Sequence, residues 1–184
     1  MHQPPFEKRR ILVDASSAIL MTKAGLMEEL IMAYRVACAS SVYRELCRKG
    51  YPGAKEISVF RQTGKIRVTE GPGDSPGGGR PPIPAGLGPG ERDTIRHFYG
   101  GAGAFIIIDD GRGARYCRNA GIPFINALLV PKLFYFAGRL SEEAYLSATA
   151  TVIGEGRYAA TILSWAQACS RKDLSFFLPE DPSP

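Results

Sequence analysis

The sequence contains few of the residues on which many metal-binding and hydrolytic sites depend. Its 184 residues include two histidines, His2 and His97, and four cysteines that are scattered without a CxxC pair. A zinc site of His and Cys ligands is therefore not expected, and neither is a disulfide framework. No histidine-based catalytic triad is expected either, because His97 lies among polar residues of a predicted helix, where we expect a surface side chain.

Long apolar runs are also missing. No run approaches the length of a membrane span, and residues 1–10 are polar and basic where a secretory signal would need an apolar stretch. Apolar residues make up 45% of the chain and charged residues 22%, which is typical of a soluble globular protein. With cysteines that suggest a reducing compartment, this composition predicts a cytoplasmic protein with no membrane partner.

The charge balance is basic. Lys and Arg outnumber Asp and Glu by 23 to 18, which gives a net charge of +5 and an isoelectric point near 9.1. A small excess of this kind fits any basic protein, and it also fits a protein that binds a polyanion such as nucleic acid. The second interpretation gains weight if the acidic residues gather in one site while basic residues surround it.

Short apolar segments alternate with helical patterns. Predicted strands lie in the segments "ILV" (11–13), "RVACA", "KIRVTE", "AFIIID" and "IPFIN". Apolar spacing predicts helices between them, with Gly25 as a break between two short helices. In "SSVYRELCRKG", Ser40 or Ser41 is expected to cap a helix that Gly50 ends. Strands and helices at such short intervals indicate an α/β sandwich with a mostly parallel sheet.

One segment interrupts this alternation. Most of residues 71–90 are Gly or Pro, so the segment cannot form a regular element, and it is long for a routine connection. We interpret it as a flexible insertion within a single domain of residues 1–184, because the alternation resumes after it. The Pro- and Asp-rich end of the chain, after about residue 174, is expected to fray.

Acidic residues stand at predicted strand ends and on helices at four places. These are Asp14, Glu45, Glu91 with Asp93, and Asp109 with Asp110. Each alone has an ordinary explanation as a helix cap, an exposed helix residue, a partner of the helix dipole or a turn former. Together they suggest more, since the carboxyl ends of parallel strands meet at one edge of the sheet, where active sites of such folds lie.

Carboxylates that converge at one edge repel each other unless a cation lies between them. Mg²⁺ and Mn²⁺ prefer hard oxygen ligands and usually keep several waters. A divalent ion held in this way can activate water and neutralise a phosphoryl oxygen. The acidic residues therefore predict metal-dependent phosphodiester hydrolysis without a Ser, Cys or His nucleophile.

Four motifs, in order, resemble those of PIN domains. "ILVDASSAIL" is similar to their opening strand, and "SSVYREL" is similar to their second motif. "GPGERDTI" resembles the third motif of a prokaryotic, VapC-like subgroup, and "IIIDDGRGARYCRNAGIPFINALLVPKLFYFAGRLSEEA" resembles the rest of that subgroup. The resemblance spans roughly residues 10 to 145, and the chain from Thr149 onward does not match.

The resemblance implies a three-layer α/β/α sandwich and a metal-dependent endoribonuclease that cleaves single-stranded RNA. Many such proteins are toxins of toxin–antitoxin pairs and many dimerise, so an antitoxin protein and a homodimer are expected partners. Carried over by motif, the ligands of Mg²⁺ or Mn²⁺ are Asp14, Glu45, Glu91 and Asp110, with Asp93 and Asp109 as alternatives at the two doubled positions. Ser16 would hydrogen-bond a carboxylate or a metal-bound water.

Basic residues follow the second acidic pair. Arg112 and Arg115 are predicted near one face of a helix close to the site, where they can contact RNA phosphates, although an exposed helix face explains them equally well. Another alternative stays open for the whole protein, namely a PIN-fold module that binds RNA or protein without cleavage. A phosphatase of the haloacid dehalogenase type is not favoured, because Ser16 stands where its second Asp is needed.

Overall fold

A five-stranded sheet, parallel at every pairing, organises the fold. The computed structural model describes residues 8–48, 50–51, 53–71 and 81–180. The strands are β1 (Arg10–Val13), β2 (Arg35–Ala39), β3 (Ile66–Thr69), β4 (Phe105–Ile107) and β5 (Phe124–Ile125). Their order in the sheet is β3-β2-β1-β4-β5. All five predicted strands and the parallel sheet are confirmed.

Helices follow the strands along the chain. They are α1 (Ala15–Lys23), α2 (Met27–Ala33), α3 (Ser40–Leu46), α4 (Ala54–Gln62), α5 (Pro89–Tyr99), α6 (Gly111–Asn119), α7 (Val130–Phe136), α8 (Glu142–Glu155) and α9 (Ala160–Ala168), with a 3₁₀ turn at Ala127–Leu129. Gly25 separates α1 from α2 as predicted, and its positive φ of 69° is a conformation that favours glycine. Of the described helices, none has both the length and the apolar character that a membrane crossing requires.

The sheet is buried on both faces. Successive side chains of a strand point to opposite faces, so Ile11 and Val13 of β1 enter one core while Leu12 enters the other. The first core includes residues of α1, α2, α7 and α8, and the second includes residues of α5 and α6. This arrangement is the predicted three-layer α/β/α sandwich, and it explains why β4 reads as a continuous apolar run.

Two local predictions on α3 are wrong. Neither Ser40 nor Ser41 caps the helix, because β2 runs directly into it and Ala39 occupies the cap position without a side-chain hydrogen bond. The helix ends at Leu46, with Cys47 as its C-cap, and not at Gly50. Its length is therefore set by the junction with the strand and not by the local capping residues.

His97 is also not a surface residue. It is only 6% exposed, because it lies on the same face of α5 as Gly90 and Thr94, and α5 packs that part of its surface against α3 and β2. Burial lowers the pKa of the His97 imidazole. The four cysteines are free, as expected.

The end of the chain packs on the core as far as it is described. Leu174 is buried, and Phe177 and Leu178 pack against the first core. The hydroxyl group of Tyr34 donates a hydrogen bond to the carbonyl oxygen of Phe177. The prediction that the chain frays after about residue 174 is therefore wrong for this stretch, and residues 181–184 lie outside the described part.

The predicted insertion at 71–90 falls largely outside the described residues, since 72–80 are among those not described. Its last part, from Pro81 onward, contacts the rest of the domain. The carbonyl oxygen of Pro81 accepts a 2.7 Å hydrogen bond from the hydroxyl group of Tyr116, and Leu87 is buried in the second core. Residues 89 and 90 then form the first turn of α5.

Candidate metal centre

The sheet topology brings Asp14 next to the acidic pair. Asp14 follows β1, and Asp109 and Asp110 follow β4, its hydrogen-bonded neighbour in the sheet. The backbone amide of Asp14 donates a 3.1 Å hydrogen bond to the carbonyl oxygen of Ile107. The two strand ends are therefore in register, at the carboxyl edge where parallel α/β sheets place their sites.

Asp14 is a buried N-cap. Its Oδ1 accepts a 2.8 Å hydrogen bond from the amide of Ser17, and its Oδ2 accepts a 2.7 Å bond from the hydroxyl group of Ser16. Burial raises the pKa of this carboxyl from 3.8 to about 6 in spite of these hydrogen bonds, and the charge of Asp109 adds to the rise. Ionised Asp14 therefore lacks sufficient compensation from the protein, and a nearby cation would supply it.

Asp110 caps the next helix on the same edge. Its Oδ1 accepts hydrogen bonds from the amides of Arg112 at 2.8 Å and Gly113 at 2.9 Å. A Cβ atom at Gly113 would lie 2.4 Å from Cδ1 of Ile108, so glycine lets α6 begin close to the strand end. This close start positions the Asp110 carboxylate at the carboxyl edge with only one oxygen used for capping.

Asp109 has a different environment from its neighbour. Its Oδ1 accepts a 2.8 Å hydrogen bond from the hydroxyl group of Tyr158 and a 3.2 Å bond from the amide of Ala127. Burial raises the pKa of Asp109, and these two bonds lower it in part. Asp109 thus links the end of β4 to the 3₁₀ turn and to the connection between α8 and α9.

Glu91 reaches the site from the first turn of α5. Its Oε2 accepts a 2.7 Å hydrogen bond from the amide of Gly88. Burial raises the pKa of Glu91, and the charges of Asp110 and Glu45 raise it further. Glu45 is exposed on α3, and its Oε2 lies 3.7 Å from the position that a Cβ on Gly90 would occupy. Glu91 therefore lies near enough to Asp110 and to Glu45 for both charges to disfavour its ionised form.

Asp93 is directed away from this group. It is two positions beyond Glu91 on a helix, so its side chain points to a different side. It forms a 3.1 Å ion pair with Arg96, and its charge acts on His97. The structure does not bring Asp93 into the acidic group formed by the other five carboxylates.

Glu91, Asp109 and Asp110 border a cleft of about 450 Å³, and buried Asp14 is hydrogen-bonded to Ser16, which also lines it. Its lining comprises Ser16, Ile19, Leu20, Lys23, Glu91, Asp109, Asp110, Gly111, Glu155, Gly156 and Arg157. Lys23 and Glu155 form a 2.5 Å ion pair at its side, and the side chain of Arg157 is exposed. Sequence analysis missed Arg157 and Tyr158, because no motif in the chain after Thr149 marks them.

The donor chemistry of the cleft fits Mg²⁺ or Mn²⁺, which prefer carboxylate oxygens. Within the described part of the chain, however, no three His, Cys, Asp or Glu side chains converge closely enough to form a ready-made metal site. Mg²⁺ does not need such a set, since it is usually bound by one or two carboxylates together with waters. The residues therefore fit an ion that is held partly through water.

Comparison with known proteins agrees with this geometry. The family model DUF3368, described as a PIN domain, matches residues 10–135, which is about two thirds of the chain. No curated protein and no solved structure gave a match. The matched region includes Asp14, Glu45, Glu91, Asp93, Asp109 and Asp110, and it ends before Glu155, Arg157 and Tyr158. The chain belongs to the PIN domain family.

Proposed function

We propose that the protein is a Mg²⁺- or Mn²⁺-dependent endoribonuclease that cleaves single-stranded RNA. PIN domains are commonly metal-dependent nucleases. The observation that carries the proposal is the meeting of β1 and β4, because it sets Asp14, with its raised pKa, beside the acidic pair. Glu91 and Glu45 extend this acidic group from two helices. An acidic group of this kind, which combines buried Asp14 with carboxylates that face the cleft, has a physical reason when a divalent ion lies beside it.

The hydrogen bonds of the site favour particular ligands. We propose that one or two of Asp14, Glu91 and Asp110 bind the ion directly, and that the others, together with exposed Glu45, act through water. Asp93 is disfavoured because its charge is already paired with Arg96. Asp109 is disfavoured because its two hydrogen bonds join the end of β4 to Ala127 and Tyr158, far along the chain, whereas Asp110 only caps its own helix.

The bound ion would supply an activated water for attack on the phosphodiester and would offset charge on the phosphoryl oxygens. The protein holds the carboxylates in fixed positions. Ser16 and the amide of Ser17 hold both oxygens of Asp14, and the amides of Arg112 and Gly113 hold Asp110. Such fixed carboxylates reduce the reorganisation needed when RNA binds.

Arginines beside the cleft are suited to the RNA backbone. Arg112 and Arg115 have exposed side chains on α6, and Nη1 of Arg112 donates a 3.1 Å hydrogen bond to the carbonyl oxygen of Gly86. Arg157 borders the same cleft from the connection between α8 and α9. We propose that these guanidinium groups contact phosphates, which orients the RNA without reading its sequence.

A second candidate function is binding of RNA or protein without cleavage. The observation that favours it is the lack of a ready-made three-residue metal site among the described residues. The resemblance to VapC-like proteins also leads us to propose a toxin with an antitoxin partner, and a homodimer. Light scattering of the purified protein tests the dimer, and co-purification with the product of an adjacent gene tests the antitoxin.

The test of the main proposal is a cleavage assay on single-stranded RNA with Mg²⁺, with Mn²⁺ and with EDTA. We expect metal-dependent cleavage that falls at least about 100-fold in Asp14→Asn, the upper end of the loss seen when residues that only support ligands are changed. Asp93→Asn makes the same chemical change outside the acidic group and is the matched control. Undiminished metal-dependent cleavage by Asp14→Asn would refute the assignment.

A further inference from the structure

A second cleft lies at the opposite edge of the sheet, where β1, β2 and β3 begin. Its volume is about 950 Å³, roughly twice that of the cleft bordered by Glu91, Asp109 and Asp110. Residues 100–102, which follow the end of α5, form part of its wall. Because β1 rises about 3.3 Å per residue over its four residues, Arg10 in this cleft and Asp14 at the acidic edge lie roughly 13 Å apart along the sheet, and the cleft extends along β3 to Thr69.

The lining of this basic cleft carries charge of one sign. Its charged residues are Lys8, Arg10, Arg35, Lys65 and Arg67, and no acidic residue among those described lines it. Neither Arg10 nor Arg67 forms an ion pair with another described residue. Five basic residues therefore share one cleft, as a polyanion-binding surface requires.

Strand register sets three of these cations side by side. Arg10 of β1 lies opposite Arg35 of β2, and Arg67 of β3 lies opposite Ala37. Arg35 and Ala37 are two residues apart on one strand and share a face, so the three arginines lie on the same face of the sheet. Like charges directly opposite each other on neighbouring strands destabilise a sheet.

Arg10 and Arg67 therefore keep charge that no acidic side chain among the described residues pairs with. The C-terminal end of α5 lies at the wall, but a helix end contributes only about half a negative charge. That is small against these two cations, so an anion bound near them would be attracted by both.

We propose that the basic cleft binds the phosphate backbone of RNA, as a second contact separate from the carboxylates. Tyr34 is the aromatic residue in its lining and is only 1% exposed, so among the described residues of the cleft no ring is available on which a base can stack. Contact is therefore with phosphates and independent of base sequence. An acidic peptide fits less well, because protein interfaces usually depend on buried apolar or aromatic anchors, and Val36 and Ala37 of the lining are already buried in the fold.

The choice of RNA as the polyanion rests on the proposed function, but its test does not require cleavage. Binding of a fluorescently labelled oligouridylate is measured by anisotropy in EDTA, over a series of salt concentrations. The cleft variant carries both Arg10→Gln and Arg67→Gln. The control variant carries both Arg118→Gln and Arg171→Gln. The control removes the same charge from exposed residues that line neither cleft.

We expect the cleft variant to bind the oligouridylate at least about tenfold more weakly at low salt. The slope of log affinity against log salt should fall by about 1.4, since each phosphate contact on a single strand contributes about 0.7. The control should change both values much less. The cleft variant should melt at about the same temperature as the unmodified protein, because Arg10 and Arg67 form no ion pair with a described residue.

Equal affinities and equal salt slopes for the two double variants would overturn the proposal. It would also be overturned if polyglutamate binding, and not RNA binding, depended on Arg10 and Arg67, because the cleft would then be a site for an acidic protein. Asp14→Asn should retain binding in EDTA. A protein that binds through the basic cleft but never cleaves RNA would refute the nuclease proposal alone.

Discussion

The hydroxyl group of Tyr158 donates a 2.8 Å hydrogen bond to Oδ1 of Asp109, across 49 residues of chain. This bond ties the connection between α8 and α9 to the end of β4. Tyr158 lies beyond the region that matches the PIN domain model, which ends at residue 135. The C-terminal part of this chain therefore supports the acidic edge that the matched region builds.

Removal of the Tyr158 hydroxyl should lower the stability of the fold more than it lowers RNA cleavage. We expect Tyr158→Phe to lower the free energy of unfolding by about 1.5–3 kcal/mol, the range for a hydrogen bond to a charged group. The pKa of Asp109 should rise, because the bond from Tyr158 lowers it. Urea unfolding measures the stability. Tyr135→Phe is the control, since its hydroxyl forms no hydrogen bond with a described residue. Equal stability losses in the two variants would contradict a supporting role for Tyr158.

The buried carboxyl of Asp14 should make stability depend on pH. Its pKa is about 6 in the folded protein against 3.8 for an ordinary Asp, so between those values the folded state holds the proton more tightly than the unfolded chain. Stability from this group is present below pH 4 and is lost as the pH rises through 6. The loss amounts to about 3 kcal/mol, at 1.36 kcal/mol for each pKa unit.

Asp14→Asn should remove this dependence while keeping the helix cap, since Asn caps as well as Asp. In EDTA we expect the variant to gain stability relative to the unmodified protein as the pH rises from 4 to 7. Urea unfolding at several pH values measures the difference. A difference that stays constant over this range would show that Asp14 titrates normally.

The two doubled acidic positions can be separated by paired variants. Glu91→Gln and Asp110→Asn should each lower metal-dependent RNA cleavage about 100-fold or more. Asp93→Asn should cleave normally, because its charge is paired with Arg96 outside the acidic group. Asp109→Asn should mainly lower the melting temperature, because its Oδ1 accepts two structural hydrogen bonds. Loss of cleavage in Asp93→Asn with no loss in Glu91→Gln would reverse the assignment.

Much of the architecture could be predicted, because it depends on local sequence patterns. Apolar runs such as that of β4 mark strands buried on both faces, and parallel strand order then sets the strand-end acids Asp14 and Asp110 at one edge. Gly25 indicated the break between α1 and α2, because glycine readily adopts the positive φ found there. These features depend on the residue type and its near neighbours.

Features that depend on distant contacts could not be predicted. His97 has a polar local context and is buried in the fold, where α5 packs on α3 and β2 and the imidazole forms a hydrogen bond with the backbone of Gly71. The end of the chain is held by Tyr34, which is 143 residues from its partner. The basic cleft depends on strand register, which sets Arg10 opposite Arg35 although 25 positions separate them. Each of these three features becomes apparent only when the three-dimensional structure is known.

The most direct test of the account is a titration with Mn²⁺, followed by electron paramagnetic resonance of the free ion. We expect saturable binding that is weakened at least about 100-fold in both Asp14→Asn and Asp110→Asn and is retained in Asp93→Asn. Affinity should also decrease below pH 6, where protons compete for the Asp14 carboxyl. Absence of saturable binding, or binding that is the same in all three variants, would contradict the claim that these carboxylates share a divalent ion.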